Sequence, residues 1–220
     1  MGKFFDQSNP FWRFVNKTTD IIFMNMLFLL CCLPVITIGP AYTALYYTLM
    51  KSVRRERGYA AKNFFHSFLQ NIKQGLISWI IILAVAFGGI YGVVSLWGRT
   101  EETEQGLLTF WVSVFVLLFL IIMTIYLFPV LSRFNFSLGQ LFSFSMVIAF
   151  KYILTTIALL LMLAATVALC YLSTPLFVFI MPALFVFGSS FLIERIFKIY
   201  MPQMQNGDPE SQPADPWYLE

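Results

Sequence analysis

Four stretches of this chain, 75–97, 106–132, 152–172 and 175–193, contain no acidic or basic side chain. Each matches the roughly 20 apolar residues that a helix needs to cross a hydrocarbon core of about 30 Å. A fifth uncharged stretch, 21–50, would measure about 45 Å as one helix at 1.5 Å per residue, which is too long for a comfortable crossing. Only 11% of the 220 residues are charged and 59% are hydrophobic. Soluble domains average about 25% charged. The excess apolar surface has to face lipid, and the predicted class is an all-α, polytopic transmembrane helical bundle.

The middle of the fifth stretch reads Leu33-Pro34-Val35-Ile36-Thr37-Ile38-Gly39-Pro40. Proline removes an amide donor and biases its predecessor away from helix, and Gly-Pro is a strong breaker, so a turn is expected there. Pro34, Thr37, Gly39 and Pro40 are its structural residues. Two helices follow, about 19–36 and 41–57, which gives six spans; one long kinked helix, giving five, is the alternative. Basic residues prefer the cytoplasmic side of span ends. With six spans and both termini inside, only Arg99 of the fourteen Lys and Arg residues lies outside, whereas five spans carry Lys3, Arg13 and Lys17 outside with it. Six spans are preferred.

Ahead of the first span, Asn9-Pro10 reads as a cap and a first helical position, and Phe11, Phe14, Val15 and Thr18 recur at helical spacing. The segment is either an interfacial helix or an ordinary lead-in to the span. Between residues 51 and 74, Phe64, Phe65, Phe68, Leu69, Ile72 and Leu76 form a stripe opposite Lys62, Ser67, Gln70 and Lys73. This predicts an amphipathic cytoplasmic helix that buries its stripe in the inner leaflet or against another protein, both of which a basic amphipathic helix supports. Phe65, Phe68, Asn71, Arg54 and Arg55 are the candidate docking residues. Replacing Phe68 with Asp is expected to disrupt association and spare insertion, and Gly39→Leu to damage folding if the turn needs a positive φ. Residues 1–200 are expected to form one transmembrane domain, and 201–220, rich in Pro and polar residues, a disordered tail. No removable signal peptide is expected.

Chemistry is sparse. Cys31, Cys32 and Cys170 lie in apolar runs and read as small hydrophobes, and His66, the one histidine, reads as solvated or interfacial. No metal, cofactor or catalytic motif is found, so no enzyme is predicted, and a net charge of +3 is too small to suggest a nucleic-acid partner. Glu194 and Arg195 close the last span, where a local ion pair is expected. A neutral-solute site drawn from Asn25, Tyr42, Tyr46, Ser78, Thr124 and Tyr126 stays open, with packing and interface belts explaining these residues as well. Ala84, Gly88 and Gly92 repeat every four residues, a small-residue stripe for close helix packing within the chain or between copies.

Leu33-Pro34-x-x-Thr37-x-Gly39, Ala44-Leu45-Tyr46-Tyr47, Phe65-x-x-Phe68-x-x-Asn71-x-x-Gln74 and Pro129-Val130-Leu131-Ser132-Arg133-Phe134 resemble the YesL family of bacterial integral membrane proteins, a domain of unknown function. The resemblance runs over about 10–200. It implies a multi-pass protein of the cell membrane of Gram-positive or related bacteria, often encoded beside carbohydrate ABC importers and polysaccharide-degrading enzymes. It implies no reaction. The expected partners are the lipid bilayer and ABC importer permease subunits, the chain being an accessory subunit without catalytic activity. A self-contained sugar carrier and a membrane-bound regulator of carbohydrate uptake are the alternatives.

Overall fold

The computed structural model describes residues 10–54, 59–96, 104–172 and 180–205. These form seven α-helices and, among the described residues, no strand: α1 (Pro10–Cys31), α2 (Ile38–Thr48), α3 (Ala60–Leu96), α4 (Glu104–Arg133), α5 (Leu138–Lys151), α6 (Ile153–Leu172) and α7 (Met181–Gln205). Helices α3, α4 and α6 are long and apolar enough to cross a bilayer by length and composition. The chain is a helical membrane protein.

Helix α1 starts at Pro10, whose missing amide proton costs nothing in a first turn. It runs unbroken to Cys31, so the amphipathic lead-in and the apolar segment after it are one element. Pro34 is extended (φ −77°, ψ 113°) and a single 3-10 turn, Val35–Thr37, follows. The Thr37 hydroxyl donates toward the carbonyls of Cys31 (2.5 Å) and Pro34 (2.7 Å), satisfying acceptors that the end of α1 leaves open. Gly39 and Pro40 do not belong to the break. They sit in the first turn of α2, where a helix has amide donors to spare and tolerates proline. From Leu49 to Arg54 the helix widens to a π-helical turn.

The expected boundary between a cytoplasmic helix and a span at 75 does not exist. Helix α3 is 37 residues long, about 55 Å at 1.5 Å per residue, and passes through Gly75 without interruption. One glycine costs a helix only ~1 kcal/mol, too little to break it. A Cβ on Gly75 would stand 3.0 Å from Pro40 Cα, so what the position supplies is close approach by α2. The α1–α2 hairpin therefore lies along the N-terminal half of α3. Its tip touches the middle of that helix, where the Trp79 indole N–H donates to the Val35 carbonyl (2.7 Å), and its far end reaches Asn63, whose amide donates to Ser52 Oγ (2.8 Å).

Helix α4 runs antiparallel to α3, with Leu117 and Ser113 against Gly89, Ser113 against Gly92, and Phe128 against Trp79 (5.9 Å between rings). The most deeply buried large side chains, Tyr46, Phe64, Tyr126, Phe128, Phe134 and Phe197, gather at the end where the hairpin packs. Helix α5 fills a segment to which the sequence reading gave no element. Its start is fixed by the Ser137 amide donating to Gln140 Oε1 (3.0 Å), and Leu141, Ser145, Ile148 and Ala149 are its buried stripe. Helix α7 continues to Gln205, so 201–205 are helical, not tail, and 206–220 lie outside the described residues.

Candidate functional site

Two features concentrate what is unusual here: a buried charge cluster and an apolar cavity. Arg133 ends α4 and Glu194 lies in α7, both almost fully buried, and the guanidinium donates to Glu194 Oε1 in a salt bridge. The Tyr46 hydroxyl, brought by α2, donates to the same oxygen at 3.1 Å. Three helices are thus tied by one carboxylate. Glu194 does not pair with Arg195, contrary to expectation, because consecutive residues on a helix point about 100° apart and cannot face one another. Arg195 is exposed. Taking two charges out of water costs several kcal/mol per ion, which only close pairing and added hydrogen bonds offset.

Beside the hairpin tip, a partly open cavity of about 730 Å³ is bounded by α3, α4, α6 and α7, with Phe28 of α1 and Tyr42 of α2 also lining it. Its lining is apolar apart from a few hydroxyls and the Trp79 indole. Thr124 and Thr166 spend their hydroxyls on carbonyls of their own helices (2.8 Å each). Tyr42, edge-on to Phe128 at 5.7 Å, has a buried hydroxyl with no hydrogen-bond partner. Of the six residues weighed for a solute site, only Tyr42 and Thr124 line this cavity. Tyr46 serves the charge cluster, Tyr126 bonds Thr156 (3.0 Å), Asn25 accepts from the Ala183 amide (3.0 Å), and Ser78 is buried elsewhere.

The candidate docking residues separate. Phe64 is fully buried and stacks on Phe68 (6.3 Å, 11°), which is half-buried against the core, while Phe65 is 47% exposed. Ser67, assigned by spacing to the polar face, is buried, and His66 is exposed. The Asn71 amide donates back to the Ser67 carbonyl (3.0 Å). The Arg54 guanidinium lies over the Phe191 ring, 4.5 Å from its centre, which joins the hairpin to α7. Arg55 lies outside the described residues. Of the predicted stripe, Phe65 and Leu69 remain outward, flanked by Lys62, His66 and Lys73.

At the turn, a Cβ on Gly39 would meet the Gly75 carbonyl at 2.7 Å and Phe128 at 2.9 Å. Glycine is needed there for contact within a helix, not for a positive φ. Of the small-residue stripe, Gly92 packs on Ser113, whereas Ala84 and Gly88 are exposed and a Cβ on Gly88 meets nothing within 4 Å. Gly89, which the spacing did not select, is the second glycine under α4. Among the described residues no group of three or more His, Cys, Asp or Glu side chains could hold a metal ion. The three cysteines are free thiols, each half-buried.

Residues 21–93 match the model of a family described as a protein of unknown function, DUF624. This agrees with the YesL resemblance and covers its first three motifs, whereas Pro129–Phe134 lies beyond the match. No curated protein and no solved structure matches the chain.

Proposed function

We propose that this chain, a helical membrane protein carrying the DUF624 match over 21–93, is an accessory subunit of a bacterial type I carbohydrate ABC importer, acting through its helix surfaces and without chemistry of its own. The observation that carries the reading is the nature of the cavity. A sugar presents hydroxyls that each need a partner once out of water, and an unmet hydrogen bond costs about 1–3 kcal/mol. The hydroxyls of Thr124 and Thr166 already donate to carbonyls of their own helices, which leaves two acceptors among apolar walls and suits a many-hydroxyl sugar poorly. Arg133 and Glu194 are engaged with one another and with Tyr46, so the buried charges hold helices together. The importer as partner comes from the gene neighbourhood that the YesL resemblance implies, and the exposed Phe65–Leu69 strip with its basic flanks supplies a docking surface for it.

Orientation follows from charge. Both termini are cytoplasmic in this reading, and α3, α4, α6 and α7 cross the cell membrane. A 55 Å helix exceeds a 30 Å core by about 25 Å, and Lys62 and Lys73 place the excess of α3 at the cytoplasmic side. The hairpin lies along that excess, from Asn63 to Trp79, so it enters the bilayer from the cytoplasm only with its tip, where Leu33, Val35 and Ile36 are exposed. A hairpin that fully crossed would leave the distribution of Lys and Arg unchanged. This is why counting charges favours six spans equally well.

The test is purification of the full chain from native-host membranes in mild detergent. A permease pair should copurify, and Phe65→Asp should release it. A chain that always emerges alone contradicts the proposal. Sugar accumulation by proteoliposomes holding this protein only would establish the carrier reading in its place.

A further inference from the structure

The cavity extends along α3 from Trp79 to Ile90, about 17 Å at 1.5 Å per residue, which is close to half of a 30 Å hydrocarbon core. Among the described residues the α1–α2 hairpin stops at Trp79, and beyond its tip no helix fills the space between the α3–α4 pair and the α6–α7 pair. Three of the cavity's walls, α3, α4 and α6, are helices long and apolar enough to cross a membrane, so what stands next to it is hydrocarbon. Its volume of about 730 Å³ falls within the range of about 300–1,000 Å³ usual for ligand sites. Such sites are apolar with a few placed polar groups. Tyr42 closes this one at the hairpin end with its ring, its hydroxyl being buried out of reach of the open volume.

We propose that the cavity is a binding site for one acyl chain, lying along α3. A length of one leaflet, apolar walls and hydrocarbon alongside are the complement of a fatty acyl group. The same chemistry is offered by a membrane phospholipid and by a free fatty acid. The site is independent of whether an importer binds to the outer surface.

The test uses the full chain in phosphatidylcholine vesicles with two photoreactive probes, in separate samples: a phosphatidylcholine carrying a diazirine at one chain end, and free palmitate carrying the same group. After irradiation, peptide mass spectrometry should find adducts on cavity residues such as Ile82, Leu83 and Thr124, in addition to those on outward Phe87 and Leu154. Labelling of the cavity by the phospholipid assigns the site to a membrane lipid, and labelling by palmitate alone assigns it to the free acid. Ala86→Phe, which fills the cavity, should abolish the inner adducts and leave the outer ones. Adducts from both probes confined to the outward residues of the unaltered chain, which needs no variant to fold, would overturn the proposal.

Discussion

Replacing Glu194 with Leu leaves Arg133 charged and buried without its counter-ion, and loss of one partner from such a pair costs about 3–5 kcal/mol. Replacing both, Arg133→Met with Glu194→Leu, removes the desolvation cost along with the attraction and should return most of that loss. Thermal unfolding in detergent measures the two, and a double variant as unstable as the single one would refute the pairing. Glycines divide as sharply. Gly39→Ala drives a methyl into the Gly75 carbonyl and should cost about 1–3 kcal/mol, whereas Gly88→Ala meets open space and should be neutral or gain up to ~1 kcal/mol from helix propensity. Equal effects in the same unfolding measurement would contradict the packing. At this scale, spacing pointed to Pro34 and Thr37 because a turn is a local device, whereas Gly39 serves a contact of α2 with α3 that spacing does not encode. It gave Glu194 the wrong partner because the right one lies 61 residues away, on a face that only the assembled helices define.

Among the elements, the break between α1 and α2 was legible because proline imposes it chemically. The continuity of α3 was not, since a change from amphipathic to wholly apolar pattern alters what surrounds a helix without ending it. Helix α5 was hidden for a related reason: at 14 residues it is too short for a ruler set to the bilayer, although its capping residues and buried stripe are in the sequence. The long α3 also changes which substitution tests docking. Phe68→Asp puts a charge against Phe64 and the core, so it should lower stability by about 1–3 kcal/mol and confound any loss of binding. Phe65→Asp changes an outward ring and should leave the unfolding temperature near that of the unaltered chain while weakening association. Comparing melting curves of the two variants decides this, and equal destabilisation would show that the Phe65 face is buried.

For the molecule as a whole, the lipid environment was readable from composition, and the cytoplasmic termini are expected from the distribution of Lys and Arg. The cavity was not, because its lining is gathered from six helices spread over most of the chain. Hairpin depth is open to direct measurement. In a chain whose three cysteines are replaced by alanine, Val35→Cys should resist a membrane-impermeant thiol reagent added outside intact cells, while Arg99→Cys, in the segment assigned outside, should react. Reaction at both positions would show that the hairpin crosses completely. The claim that organises this account is that a passive membrane protein works by holding a permease through the exposed face of α3. A photo-cross-linking amino acid at position 65, activated in membranes of the native host during growth on polysaccharide, tests it most directly. The account predicts a covalent adduct with a permease polypeptide, lost when Leu69 is replaced by Asp; adducts with lipid alone would contradict it.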